Sequence, residues 1–144
     1  MNAAAISAAA TASAWVYPLL EIVHLVGVAL LLGNLVLVEL RVWGFGAQLP
    51  VDALARLALP IVLGGFVLAA GSGMAMLLSH WDDIAHNSAF LLKLLLMTLA
   101  AANAALFHTR GSLQLLDATA RAQATLSLGL WLLVVGCGRA IAYV

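Results

Sequence analysis

Four apolar stretches fill most of the 144 residues, and three of them carry ionisable side chains at membrane depth: Glu21 and His24 in the first, Lys93 in the third and Arg139 in the fourth. This pattern constrains the fold more than any other feature. A helix needs about 20 apolar residues to cross the hydrocarbon layer. Backbone polar groups in lipid must be satisfied within each helix or in a closed barrel. Helix-length apolar runs therefore predict an all-α, integral membrane four-helix bundle. Only 8% of the residues are charged, against about 25% in a soluble domain, so lipid has to cover most of the surface. Four spans with short connections use up the chain, and residues 1–144 read as a single domain.

The expected spans are residues 15–38, 54–79, 89–107 and 124–143. Trp15 and Tyr17 suit an aromatic belt, and Pro18 suits a first helical turn. Glu39 and Arg41 close the first apolar run, and Gly44, Gly46 and Pro50 break the helix behind them. Pro60 marks a kink or a late start in span two. Trp81, Asp82 and Asp83 close that span; His108, Arg110 and Gly111 close span three. The Ala/Ser-rich start, MNAAAISAAATASAW, has no basic n-region or long apolar core and reads as a frayed or interfacial tail. Arg41, Arg56, Arg110 and Arg121 flank the first and third connections, and the second, SHWDDIAHNS, has no Lys or Arg. The positive-inside bias then puts the first and third connections in the cytoplasm and both termini outside, in a multi-pass chain.

This topology gathers Glu21, His24, His80, His86, Lys93 and Arg139 in the outer half, and His108 at the inner end. His24 lies about 13 Å inside the interface, counted from Trp15 at the helical rise. A charge at such depth has a partner or a task. Helical spacing puts Glu21, His24, Gly27, Leu31 and Asn34 on one stripe of span one, and His86, Lys93, Met97, Ala100, Ala104 and His108 on one stripe of span three. Span two presents Gly65, Ala69, Ser72, Met76 and Ser79. Span four presents Thr125, Gly129, Gly136 and Arg139. Small residues here allow close helix approach or make room for a flat prosthetic group. A core histidine serves as a haem ligand, a metal ligand, a proton relay or a hydrogen-bonded core residue. Cys137 stands alone, with no CxxC pair. Equal numbers of acidic and basic residues (6 each) give nucleic-acid binding no support.

Two stretches, HLVGVALLLGNLVLVELRVWG (residues 24–44) and FLLKLLLMTLAAANAALFH (residues 90–108), resemble a group of bacterial four-helix membrane proteins. That group includes the copper-resistance CopD-like domains and the HemJ-type protoporphyrinogen oxidases. His24, Gly27, Gly33 and Arg41 match the pattern of the first span, and Lys93 matches the leucine-rich context of the third. The chain departs from the HemJ pattern in having no tryptophan in the core of span one, no proline before Arg41, and Asn103 where a second histidine is expected. The resemblance implies a bacterial inner (cytoplasmic) membrane, with both termini periplasmic, and a b-type haem in which the His24 and Lys93 positions take part; His24 is the expected axial ligand. His80, His86 or Met97 would be a second ligand, or the position stays open. Lys93 and Arg139 would meet the haem propionates, and Glu21 would orient His24. The expected function is a redox or electron-transfer step with a quinone or a partner protein, in a monomer or homo-oligomer. The alternatives are a copper-handling permease, or a structural bundle in which Glu21 neutralises Lys93.

Overall fold

The computed structural model describes residues 2–5 and 14–144. The tail reading of residues 6–13 lies outside the described residues. Four long helices carry the fold: α1 (Val16–Val42), α2 (Val51–Ser79), α4 (Ser88–Arg110) and α6 (Ala118–Ala140). Two single-turn helices, α3 (Trp81–Ile84) and α5 (Ser112–Leu115), lie in the second and third connections. Each long helix is long and apolar enough to cross a membrane. The expected all-α bundle is the observed architecture.

Local chemistry sets the helix ends. Pro18 sits in the first turn of α1, where its missing N–H has no intrahelical partner to lose. The Asn87 side chain caps α4 by accepting from the N–H of Ala89 and of Phe90. Asp117 caps α6 through the N–H of Ala120, so α6 starts at Ala118, earlier than expected. Gly111 ends α4 in the left-handed region, at φ 73°. Pro60 lies inside α2 and does not delay its start. The main departure is in α1, which runs past Val38 to Val42 and carries Glu39 inside the helix. Arg41 leaves the bundle instead. Its Nε donates to Leu49 O at 2.8 Å and its Nη2 to Ala47 O at 3.3 Å, which satisfies carbonyls of the first connection.

The helices pack as two antiparallel hairpins, α1 with α2 and α4 with α6, joined through α1 against α6. The start of α1, the α3 connection and the end of α6 share one end of the bundle, the terminal end. Arg41, Arg56, Arg110 and Arg121 mark the other, the arginine end. The first hairpin is closed by two glycines. A Cβ on Gly27 would lie 2.6 Å from Ala69 N and 2.7 Å from Gly65 O; one on Gly65 would lie 2.6 Å from Gly27 O and 2.7 Å from Leu31 N. Backbone therefore meets backbone, as small-residue membrane interfaces allow. Val38, Val42, Ala55, Ala58, Leu113, Ala120 and Ala124 form a core toward the arginine end. Leu96, Ala100, Leu130 and Val134 form a second core between α4 and α6.

The expected small-residue face of span four points outward. Thr125, Gly129, Gly136 and Arg139 are exposed, and nothing lies within 4 Å of a Cβ added to Gly129 or Gly136. The inward face carries Ala120, Ala124, Leu130 and Val134, because the alanines let α6 approach the other helices closely while Leu130 and Val134 fill the space against α4.

At the arginine end, Arg110 pairs with Asp117. Its Nη1 donates to Asp117 Oδ1 at 3.0 Å and to Ser112 Oγ at 3.0 Å. The fully buried Ser112 hydroxyl donates in turn to Gln123 Oε1 at 2.6 Å. The Arg110 guanidinium and then the Ala120 N–H hold the Asp117 carboxyl below its usual value of 3.8, at about 2.

Gly27→Ala or Gly65→Ala should cost about 1–3 kcal/mol through overpacking and lower the thermal midpoint in detergent, whereas Gly33→Ala, which meets open space, should not lower it. For Asp117 the folded-state pKa is depressed, so its stabilisation is present above about 4 and is lost as pH falls toward 2. The protection of the Ala120 amide, its exchange rate referred to the intrinsic rate at each pH, should fall across that acid window, and in Asp117→Asn it should stay constant.

Candidate functional site

His24 is half-buried in the groove between α1 and α2. Its Nδ1 lies 2.8 Å from Ala69 O and 3.3 Å from Ser72 Oγ. A carbonyl only accepts, so Nδ1 carries the proton and donates. The Ser72 hydroxyl is itself committed to Leu68 O at 2.6 Å, so at the imidazole it serves as an acceptor. In the neutral ring Nε2 then holds the lone pair. Gly73 makes the room for the imidazole, since a Cβ there would come within 3.2 Å of Cε1 and 3.4 Å of Nδ1. The span-two stripe thus supplies Ala69 and Ser72 as partners, and its neighbour Gly73 supplies the space.

Lys93 is also half-buried and lies within electrostatic reach of His24 and of Cys137. Its Nζ occupies the space in front of Gly138, 3.3 Å from where a Cβ would stand. The other two expected members of the cluster do not join them. Glu21 is exposed, because it lies three residues before His24 and the helical rotation over that step turns it out of the α1–α2 groove. Ala69 O and Ser72 take the orienting role expected of Glu21. Arg139 is exposed near the end of α6, where its Nη2 donates to Tyr143 Oη at 2.7 Å and its guanidinium stacks 5.0 Å from that ring. Among the described residues the Arg110–Asp117 pair is the only salt bridge, so Glu21 does not neutralise Lys93 by direct contact.

The remaining histidines are peripheral. His80 is exposed, with its ring edge-on to Tyr17 at 5.4 Å. His86 and His108 are exposed as well. Met97 packs against the α4–α6 core, and Met74 faces outward. Among the described residues no three His, Cys, Asp or Glu side chains converge as a metal cage.

A second polar site, missed in the sequence, lies toward the arginine end. Glu39 is only 3% exposed. Neither carboxyl oxygen closes a hydrogen bond; the Ser127 hydroxyl faces the carboxyl without completing one. Glu39 lines a cavity of about 60 Å³ with Asn103, Gln123, Ser127 and, at its edge, the exposed His108. Asn103 Nδ2 donates to Gln123 O at 2.9 Å, which ties α4 to α6 at this level. The available signal was the uninterrupted helical run up to Gly44, combined with amides at matching depth on spans three and four.

No family model, curated protein or solved structure matches the chain. What the sites can do is therefore read from their chemistry. The terminal half offers one oriented imidazole nitrogen and one interior cation. The arginine half offers an unpaired carboxyl among neutral amides.

Proposed function

We propose that this chain is a membrane haem protein that takes part in a redox step, with b-type haem held at His24 and a quinone or partner protein as the other redox party. One observation carries the reading: His24 Nδ1 donates to Ala69 O at 2.8 Å. Ligating histidines commonly donate the second ring nitrogen to a carbonyl or carboxylate, which fixes the tautomer and aims the free nitrogen at the metal. His24 would hold the iron through Nε2, which keeps its lone pair while Nδ1 donates to Ala69 O. Lys93 would supply the cation that a propionate needs. Arg139 and Glu21 are exposed in the same half of the bundle. Haem bound there would supply one-electron exchange. Ser72 and Gly73 hold the imidazole in place.

Purified protein expressed with haem supplied should show a b-type reduced-minus-oxidised spectrum. His24→Ala should abolish that spectrum and His108→Ala should leave it intact, because His108 lies toward the opposite end of the bundle. A protein without a Soret band, or haem that survives His24→Ala, would favour a copper-handling or structural role.

The membrane reading extends to orientation. The arginine end is proposed as the cytoplasmic face of a bacterial inner membrane, with both termini periplasmic, because Arg41, Arg56, Arg110 and Arg121 cluster there. In a Cys137→Ser background, His86→Cys should react with an impermeant thiol reagent in intact spheroplasts. Reaction only after lysis reverses the orientation.

A further inference from the structure

We propose that the Glu39 cavity is a proton-exchange site, in which the carboxyl takes up and releases a single proton with the aqueous phase at the arginine end. The site lies about 22 Å along α1 from His24, counting the fifteen intervening residue steps at the helical rise. It does not depend on the haem reading.

Glu39 is 3% exposed and neither oxygen has a hydrogen-bond partner. A buried ionisable group without a partner is costly, and in membrane proteins such groups mark ion and proton pathways. The surroundings offer no fixed countercharge. On α1 itself, Arg41 is turned to the carbonyls of Leu49 and Ala47. From α2 the cavity receives only Leu59, while Asp52 and Arg56 border a neighbouring surface groove on the far side of Leu59, with Leu113 and Gln114. From α4 come the neutral Asn103 and the exposed His108 at the edge. From α6 come the neutral Gln123 and Ser127, and Arg121 is exposed. Gln123 Oε1 is already taken by Ser112.

A metal cation is a poor match for this shell. Hard cations take six or more oxygens. Here the side-chain oxygens left to share are those of Glu39, Ser127 and Asn103. A proton needs one carboxyl oxygen and a water path. A water needs about 10–15 Å³ of such space, so the cavity of about 60 Å³ admits a short water chain. The exchange is balanced and involves no electrons. The O–H bond of the acid breaks, its proton passes to water entering past His108, and the reverse step restores it.

The test uses the full chain in proteoliposomes and a hydrophobic carbodiimide, which modifies protonated carboxyls in apolar surroundings. Peptide mapping of the wild-type protein should place the adduct on Glu39. Its yield should fall about tenfold per pH unit above a single midpoint, as one titrating proton requires, and replacing choline chloride by sodium chloride should not change it. Glu39→Gln should lose the adduct and Glu21→Gln should keep it. Infrared pH-difference spectra of the wild type supply a readout that needs no variant: a protonated-carboxyl C=O stretch should titrate with the same midpoint. Protection by sodium at constant pH would make this a cation site and overturn the proposal. No adduct on Glu39 at any pH, or an adduct and carboxyl band that ignore pH, would overturn it as well. Neither readout involves haem, so failure here and failure at His24 are separable.

Discussion

Gly27 and Gly65 bring two backbones into contact, and the position of His24 depends on that contact. Lipid gives helices no hydrophobic reason to associate, so van der Waals packing and hydrogen bonds must hold them together. With any side chain at either glycine, α1 and α2 would have to separate, because the added atom would lie within 2.8 Å of backbone on the facing helix. His24 stands three residues before Gly27, and Ala69 stands four after Gly65, so both lie one turn along from the crossing. The close approach is what lets an imidazole on one helix reach a main-chain carbonyl on the other at 2.8 Å. A wider crossing would leave Nδ1 unbonded and the tautomer undefined.

The polar groups are divided between the two ends of the bundle, and the two sets differ in chemistry. Toward the terminal end, an imidazole with one committed nitrogen stands within reach of a lysine. Toward the arginine end, a carboxyl faces amides and a hydroxyl. The second set is built on a hydrogen-bonded chain from the surface inward, Asp117 to Arg110 to Ser112 to Gln123. That chain fixes the Gln123 side chain at the cavity wall and ties the third connection to α6. The apolar α4–α6 core of Leu96, Ala100, Leu130 and Val134 lies between the levels of the two sites.

Much of this fold was legible without coordinates. The four spans follow from the length of the apolar runs, since the hydrocarbon thickness sets a minimum and charged residues interrupt it. His24 and Lys93 were legible because an ionisable group in an apolar run stands out against its neighbours. Gly27 and Gly65 were visible as small residues on helical stripes, although nothing in the sequence said that they meet each other. The error at Glu39 has a clear origin. A carboxylate next to an arginine at the end of an apolar run reads as a boundary, and only the course of the backbone shows that the helix continues and buries it.

What the sequence determined by itself is the class of fold, the number of crossings and the depth of each polar residue, because these depend on distance along the chain. What only the tertiary structure decided is which way each residue faces and what it meets. Glu21 and Arg139 have the depth expected of partners for His24, yet both are exposed; the stripe of Thr125, Gly129 and Gly136 has the composition of an interface, yet it faces outward. The reason is physical. Nearly every face of these helices is apolar, so helical periodicity carries little information about which face is inside. Rotation about each helix axis is set by contacts between helices, the Gly27–Gly65 approach first among them.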